Sequence, residues 1–303
     1  MYRTHTCGEL TAKQAGKQVT ICGRVNKVRN LGGMTFIDLR DRYGITQVTF
    51  DPAKSKLTLP EIKSEYVLQI SGEIIARPAN MINKEMSTGD MEIYPNEIKV
   101  LSVCKELPFS IDHENPVGEE IRLEYRYLDL RRQGLKNTII NRHKLYMETM
   151  KFFDAQGFLH LETPTFIKNT PEGSREFVVP ARFEPGRFFV LPQSPQQHKQ
   201  MLMVAGFDKY FQLARCYRDE DPRGDRQPEF TQVDFEMSFI EQEDVLQIIH
   251  DYFVHITKTL YLNKTIKADP FPVLTRDEAM NSYGSDKPEL RTTELEIKDA
   301  TQR

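Results

Sequence analysis

The chain has 303 residues, which suggests two or three domains at roughly 100–200 residues each. Hydrophobic residues make up 39% and aromatic ones 10%, with 18 Phe, 12 Tyr and no Trp, so wholesale disorder and collagen-like repeats are excluded. Lys plus Arg is 41 against 44 Asp plus Glu, a formal net charge of −3 that argues against a strongly basic nucleic-acid binder.

The N-terminal MYRTHTCGEL is polar and lacks the apolar core of a secretory signal. No run approaches the ~18 apolar residues of a membrane helix, so no membrane association and a cytoplasmic location are expected. Cys7, Cys22, Cys104 and Cys216 are scattered without a C-x-x-C pair, which predicts buried reduced thiols and no metal site built on cysteine.

The first hundred residues read as strands. QVTICGRVNKV, MTFIDLRD, ITQVTFD, YVLQISGEIIA and EIKVLSV are β-branched or aromatic runs with approximate alternation. Turn residues separate them at Asn30 to Gly33, Arg42 to Gly44 and Ser87 to Asp90. Five short strands without a long helix predict a small closed barrel, with the oligonucleotide-binding (OB) type leading. An SH3-like barrel or a small sandwich is the alternative. Residues 1–50 carry eight Lys or Arg and three Asp or Glu, a local balance of 8 − 3 = +5 beneath the negative total. Arg24, Lys27 and Arg29 lie together, and Phe36 follows on the next strand. Cations that track phosphates beside a ring that stacks a base suit single-stranded nucleic acid. On the residues alone, core packing is the stronger reading of Phe36.

Pro108 and Pro116 mark a connector, and Arg and Tyr crowd the stretch from Arg122 to Arg132. Spacings of three and four among Ile139, His143, Tyr146, Met150 and Phe153 predict a helix from about Asn137 to Gln156, stopped by Gly157. Strands are expected at FLHLETPTF, where Pro164 argues for an edge or interface, and at EFVVPA, RFFVLP, YFQLARCYR and QVDFEMSF. A last helix spans about Gln242 to Leu262. This order predicts an α+β unit with a mostly antiparallel sheet.

Residues 215–239, RCYRDEDPRGDRQPEFTQVDFEMSF, read as strand, charged loop, strand. Alternation puts Arg218 and Glu220 on one face, and Phe230 and Asp234 lie on the returning strand. A guanidinium on a sheet face suits bidentate contact with a phosphate, and Phe230 offers a stacking surface. No G-x-x-x-x-G-K-[ST] or G-x-G-x-x-G occurs, so bound ATP would lie on a sheet rather than in a glycine loop.

Seven stretches, in order over essentially the whole chain, resemble the bacterial-type aspartyl-tRNA synthetases, a class II family. RNLGGMTFIDLRDRYGITQVTF is similar to their anticodon-binding OB domain, and YRYLDLRR to the hinge. GFLHLETPTF is similar to motif 1, TPEGSREFVVP to the loop that closes over the amino acid, and LPQSPQQHKQ to the substrate-binding strand and helix. Residues 215–239 are similar to motif 2, and YGSDKPELR to the lead-in of an inserted domain. The resemblance implies an OB domain over 1–105 and a hinge over 106–132. It implies the N-terminal part of a catalytic core over 133–285, with the start of an insertion at 286–303. Lysyl- and asparaginyl-tRNA synthetases share this layout, but the TPEGSREF loop, Lys199 and the insertion lead-in favour aspartate.

The resemblance also implies roles. Arg218 holds the ATP α-phosphate, Glu220 contacts the nucleotide, Phe230 stacks on adenine and Gln227 lies beside it. Lys199 takes the aspartate side-chain carboxylate, which a carboxamide matches poorly. Asp234 pairs with Lys199 or with the substrate ammonium, and Glu172, Ser194 and Gln196 complete the amino-acid site. Arg29, Phe36 and Gln47 meet anticodon bases, with Arg77, Asn83 and Glu92 ranked behind them. Asp221, Arg223, Asp225 and Arg226 face the tRNA acceptor end. Pro164 lies at a homodimer interface. The implied partners are tRNA(Asp), L-aspartate and ATP, with Mg²⁺ as cofactor. Leu31 and Lys84 lie where strict enzymes differ from those that also charge the asparagine tRNA, and Leu31 favours the strict type. A tRNA-binding protein without catalysis is the alternative.

One family element has no counterpart. Motif 3, a glycine-rich strand and helix with an ATP-binding Arg, would read G-x-G-x-x-R, and no such run occurs. The Mg²⁺ carboxylates belong to the same part of the family, so an N-terminal fragment is expected. These 303 residues are therefore expected to catalyse little aspartate-dependent ATP–pyrophosphate exchange, and robust exchange would contradict that expectation.

Overall fold

The structure is a computed structural model that describes residues 1–111, 116–170, 172–221, 224, 226–292 and 295–297. The chain divides into two units, residues 1–136 and 137–303.

Alternation builds the first unit. In β1 (Gln18–Leu31) Val19, Ile21 and Val25 turn inward, as do Ile37 and Leu39 of β2 (Met34–Arg40). Val48 of β3 (Ile45–Phe50), Leu68, Ile70 and Ile74 of β4 (Val67–Ala76), and Met91 and Ile93 of β5 (Met91–Ser102) complete one core. The strands close as a barrel in the order β1-β2-β3-β5-β4, the five-stranded OB arrangement. The fifth strand starts six residues earlier than the sequence pattern suggested, at Met91, because Glu92 and Tyr94 alternate outward between core residues. Gly32 and Gly33, at φ 60° and 82°, form the two-residue turn that joins β1 to β2. Gly72 has a different reason: a Cβ there would lie 2.2 Å from the Tyr94 carbonyl oxygen, so only glycine lets β4 approach β5.

The connector folds with this first unit. It contains α1 (Glu119–Glu124) and α2 (Arg126–Asp129). Glu65, almost wholly buried, meets Arg131 at 2.8 Å, Arg24 at 3.8 Å and Arg40 through a hydrogen bond. Asp129 is buried as deeply and meets Arg126 at 2.8 Å, Arg122 at 3.2 Å and Arg132 at 3.7 Å. A buried carboxylate is costly unless cations and hydrogen bonds surround it, and YRYLDLRR provides three of the six arginines, Arg126, Arg131 and Arg132.

Helix α3 (Gln133–Ala155) starts at the end of the first unit, runs on in the second and leads to β6 (Leu159–His160). Then come β7 (Val178–Pro180), β8 (Phe188–Val190), α4 (Gln196–Val204), β9 (Lys209–Tyr217) and β10 (Glu229–Met237). Helices α5 (Gln242–Leu260) and α6 (Arg276–Tyr283) follow. The sheet order is β10-β9-β6, with β9 and β10 antiparallel and β6 parallel to β9, while β7 and β8 pair separately. Phe152, Phe153, Phe158 and Phe211 form its aromatic core, with the Phe153 and Phe211 rings stacked at 4.8 Å. The strand expected over FLHLETPTF shrinks to two residues, since Pro164 offers no N–H to a ladder and lies exposed. Ile139 is exposed too, so the predicted stripe of α3 is buried only near its end, at Thr149, Phe152 and Phe153. Helix α6 was not anticipated, although Thr275 and Glu278 form a capping box and Gly284 closes it in the left-handed conformation. Among the described residues, no helix is long and apolar enough to cross a membrane.

Within this unit His250 of α5 lies 3.0 Å from Asp251 through Nδ1 and 3.0 Å from Asp269 through Nε2, with Phe271 against its ring. The hydrogen bond to Asp251, with that to Asp269, raises the imidazole above its ordinary 6.5. A raised folded value means that the attachment of residues 269–271 to α5 is strongest below 6.5. It weakens as pH climbs through the raised value. An NMR titration should find His250 above 6.5, and His250→Gln should remove the pH dependence of amide protection, taken relative to the intrinsic exchange rate, around Phe271.

Candidate functional site

The β9–β10 ladder pairs Gln212 with Asp234 and Tyr210 with Glu236, so both carboxylates leave the same face of the sheet. Helix α4 brings Lys199 to them. Its ammonium donates to Asp234 Oδ1 at 2.8 Å and lies 3.2 Å from Glu236. Burial alone would lower the Lys199 ammonium, but the hydrogen bond and charge of Asp234, with Glu236 beyond, keep it above its usual value. Burial raises the Asp234 carboxyl against the pull of Lys199. Both directions fit a cluster in which one cation faces two anions. Beneath it the Tyr210 hydroxyl donates to Gln212 Oε1 at 2.8 Å, which also accepts from Thr163 at 3.0 Å. Burial and the nearby Asp234 charge push the Tyr210 phenol up, so it stays a neutral donor.

The segment around Gly173 is tied to the same site. Ser194 Oγ donates to Glu172 at 2.7 Å and accepts from the Gln196 N–H at 3.3 Å, while Thr170 reaches the other Glu172 oxygen at 3.4 Å. Gln193, buried, accepts from the Ser174 N–H at 3.0 Å and donates to the Ser174 carbonyl at 2.9 Å. The Ser174 hydroxyl donates to Glu220, and the Asp219 N–H donates to Arg175 O at 2.9 Å. Glu172, Ser194, Gln196, Lys199 and Asp234 are thus tied into one region by these hydrogen bonds and by α4. Gln193, Ser174, Tyr210 and Glu236 were not anticipated. A polar Gln inside LPQSPQQ was the available signal for the first of them.

Arg218 and Glu220 lie just past β9, which ends at Tyr217, and not on the strand as alternation suggested. Pro228 interrupts the ladder: it accepts from the Arg218 N–H at 2.8 Å but has no N–H to return. The Arg218 guanidinium lies 5.1 Å from the Phe230 ring centroid, so cation and ring share one wall. Arg218 Nε and Asp234 Oδ2 are buried without a hydrogen-bond partner, as a site awaiting a polar ligand would leave them. Glu220, Asp221, Arg226 and Gln227 are exposed, while Arg223 and Asp225 lie outside the described residues.

On the barrel, Phe36 faces outward and not into the core. Arg29 lies across from it in the register, 5.9 Å from its ring, and donates to Asp38 at 2.7 Å and to Gln47 at 3.2 Å. Gln47 and Thr49 donate to Glu92 at 3.1 and 2.7 Å, and Arg77 lies 3.6 Å from the same carboxylate. Asn83 stands apart from this network: its side chain accepts from the Glu85 N–H at 3.0 Å in an exposed turn. Exposed Leu31 closes β1 beside the Gly32–Gly33 turn.

All four cysteines are free. Cys7 and Cys216 are buried and Cys22 and Cys104 half-buried, so only two match the expected burial. Burial pushes the Cys216 thiol up to about 11. Among the described residues no group of three His, Cys, Asp or Glu side chains gathers to hold a metal ion.

Comparison with known proteins extends this geometry. Residues 118–302 match the family of class II tRNA synthetases (D, K and N), and residues 19–101 match the OB-fold nucleic acid binding domain. An aspartate–tRNA(Asp/Asn) ligase of Dictyoglomus turgidum is 50% identical over 99% of this chain and 51% of its own length. An aspartate–tRNA ligase of Flavobacterium psychrophilum is 50% identical over 96% of this chain and 50% of its own. The chain spans about half the length of the curated relatives it matches. Aspartyl-tRNA synthetase from Entamoeba histolytica shares the fold, with a TM-score of 0.74 at 24% identity over 90% of this chain and 61% of that one.

The lysine cluster has a direct test. Lys199→Met leaves Asp234 and Glu236 together without a counter-charge, at a cost of about 3 kcal/mol for a largely buried pair. Urea unfolding at pH 7 should register that loss. It should shrink as pH falls and the raised Asp234 carboxyl takes up a proton, and Asp234→Asn in the same background should restore part of it. Unchanged stability in Lys199→Met would contradict the account.

Proposed function

This chain belongs to the class II tRNA synthetases of the D, K and N group, and from that premise we propose that the protein is an aspartate–tRNA ligase. The observation that carries the reading is the Lys199 ammonium, held at 2.8 and 3.2 Å from two carboxylates of β10 in the second unit. An incoming aspartate places its side-chain carboxylate on Lys199. Asp234, which already has one buried oxygen without a partner, then turns to the substrate ammonium. Glu172, Ser194 and Gln196 close the amino-acid site.

ATP is the second substrate. Its α-phosphate meets Arg218, whose buried Nε lacks a partner, and its adenine stacks on Phe230 beside Gln227. Glu220, held by Ser174, links the nucleotide to the loop over the amino acid. The aspartate α-carboxylate attacks the α-phosphorus in line, and pyrophosphate leaves. The terminal ribose hydroxyl of the tRNA then attacks the mixed anhydride, and AMP leaves. The side chains position the reactants and neutralise charge, and none becomes a covalent intermediate. Among the described residues no cluster is placed to hold magnesium.

The barrel, 1–105, is the anticodon domain, with Arg29, Phe36, Gln47, Arg77 and Glu92 toward the bases and Asn83 in an adjoining turn. Residues 106–132 form the hinge, 133–285 part of the catalytic core and 286–303 the approach to an inserted domain. Asp221, Arg223, Asp225 and Arg226 face the acceptor end. Exposed Leu159, Phe166 and Phe189 near Pro164 support a homodimer. The protein acts in the cytoplasm, and Leu31 favours strict charging of the aspartate tRNA.

The reading predicts that the full-length protein charges tRNA(Asp) with aspartate and not with asparagine. Phe36→Ala should reduce charging about fivefold or more, by loss of one base stack, while adenylate formation stays unchanged. Equal loss of both activities would contradict the anticodon assignment, and the absence of aspartate-dependent charging would overturn the function.

A further inference from the structure

We infer that the barrel holds a second nucleotide site beside the proposed anticodon face, resting on that reading of the face. The site takes an unpaired loop nucleotide next to the anticodon triplet.

A cavity of about 320 Å³ opens between the segment after β3 and the middle of β5, lined by Thr49, Asp51, Lys54, Lys56, Tyr94 and Asn96. It is continuous with the Gln47–Glu92 network. Thr49 lines the cavity and also donates to Glu92 at 2.7 Å. Tyr94 follows Glu92 by two residues and shares its outward face. A base that meets Gln47 and Glu92 therefore has its strand neighbour within reach of Tyr94.

The lining suits that neighbour. The half-buried Tyr94 ring gives a base a stacking surface, and Asn96, whose Nδ2 donates to Gln18 at 2.8 Å, keeps its amide oxygen for a donor on a base edge. Lys54 and Lys56 flank the opening, where the strand's phosphates would run. Lys54 is 72% exposed and 3.6 Å from Asp51, an ion pair weak enough to exchange for a phosphate. The walls are set in advance. The bulge at Ser71–Gly72 and the contact of Gly72 with the Tyr94 carbonyl fix β5. Asp51 accepts from the Ala53 N–H at 2.9 Å through its side chain and from the Ser55 N–H at 2.9 Å through its carbonyl, which orders the loop.

The test is anisotropy binding of the 303-residue chain to a hairpin RNA with the anticodon stem and loop of the aspartate tRNA. Its loop nucleotides are made abasic one at a time. We expect one position outside the triplet to weaken wild-type binding about fivefold or more. In Tyr94→Ala that penalty should vanish, and Tyr94→Phe should retain it. Lys54→Ala with Lys56→Ala, both on the surface, should flatten the salt dependence by about 0.7 per lost phosphate contact. If Phe36→Ala weakens binding while Tyr94→Ala and the double lysine variant do not, the second site is refuted and the anticodon face stands. If Phe36→Ala also has no effect, the face itself is refuted.

Discussion

Nine successive pairs, from Tyr217–Glu229 to Lys209–Met237, hold β9 and β10 in one register, and the candidate site is written on that ladder. Alternation sends Asp234 and Glu236 to the face where α4 delivers Lys199. Phe211 and Phe235 point the other way, into the aromatic core. A slip of one residue would exchange these sets. It would bury the carboxylates among phenylalanines and expose the rings. The apolar core therefore fixes the register, and the register fixes the chemistry. The ladder ends at Pro228, which accepts from the Arg218 N–H, and Phe230 lies two residues inside it.

Two opposite solutions to buried charge occur in the molecule. Glu65 and Asp129 are single carboxylates, each served by three arginines, and neither has a buried side-chain oxygen left without a partner. Such clusters are closed: the one at Glu65 joins the connector to the barrel through Arg131, and the one at Asp129 lies within the connector. The second unit inverts the ratio. Lys199 serves two carboxylates, one Asp234 oxygen is unmet, and Arg218 Nε is unmet beyond it. Unpaired buried polar atoms cost free energy until something fills them. The closed clusters have the pattern of structure and the open one has the pattern of a binding site.

Much of this was legible in the residues because it depends on local periodicity. The five barrel strands, α5 and the β9–β10 arms follow from alternation or helical spacing. The remainder depends on contacts distant in sequence. Gln193 is an ordinary glutamine until folding sets its amide against Ser174, nineteen residues away. Phe36 reads as core by residue type, and only the inward turn of Ile37 and Leu39 shows that its own side chain must face out. The short β6 is a case where a proline-bearing apolar run looked like a strand and the ladder would not accept it. The resemblance to a family supplied roles that spacing could not, Lys199 above all.

Net charge misleads in the same way that residue type does. The total of −3 conceals a barrel whose first fifty residues carry a balance of +5, yet the proposed anticodon face is no bare cationic patch. Arg29 is paired with Asp38, and Arg77 with Glu92. Those carboxylates cancel much of the attraction that any polyanion would feel. What remains is directional: Arg29 Nε and Arg77 Nη2 are buried donors without a partner, while the Gln47 amide is already bonded to Arg29, Thr49 and Glu92. On the proposed reading, a base with acceptors in the right places would satisfy these donors. On such a surface the charges orient the donors, and discrimination comes from the bonds left unmade.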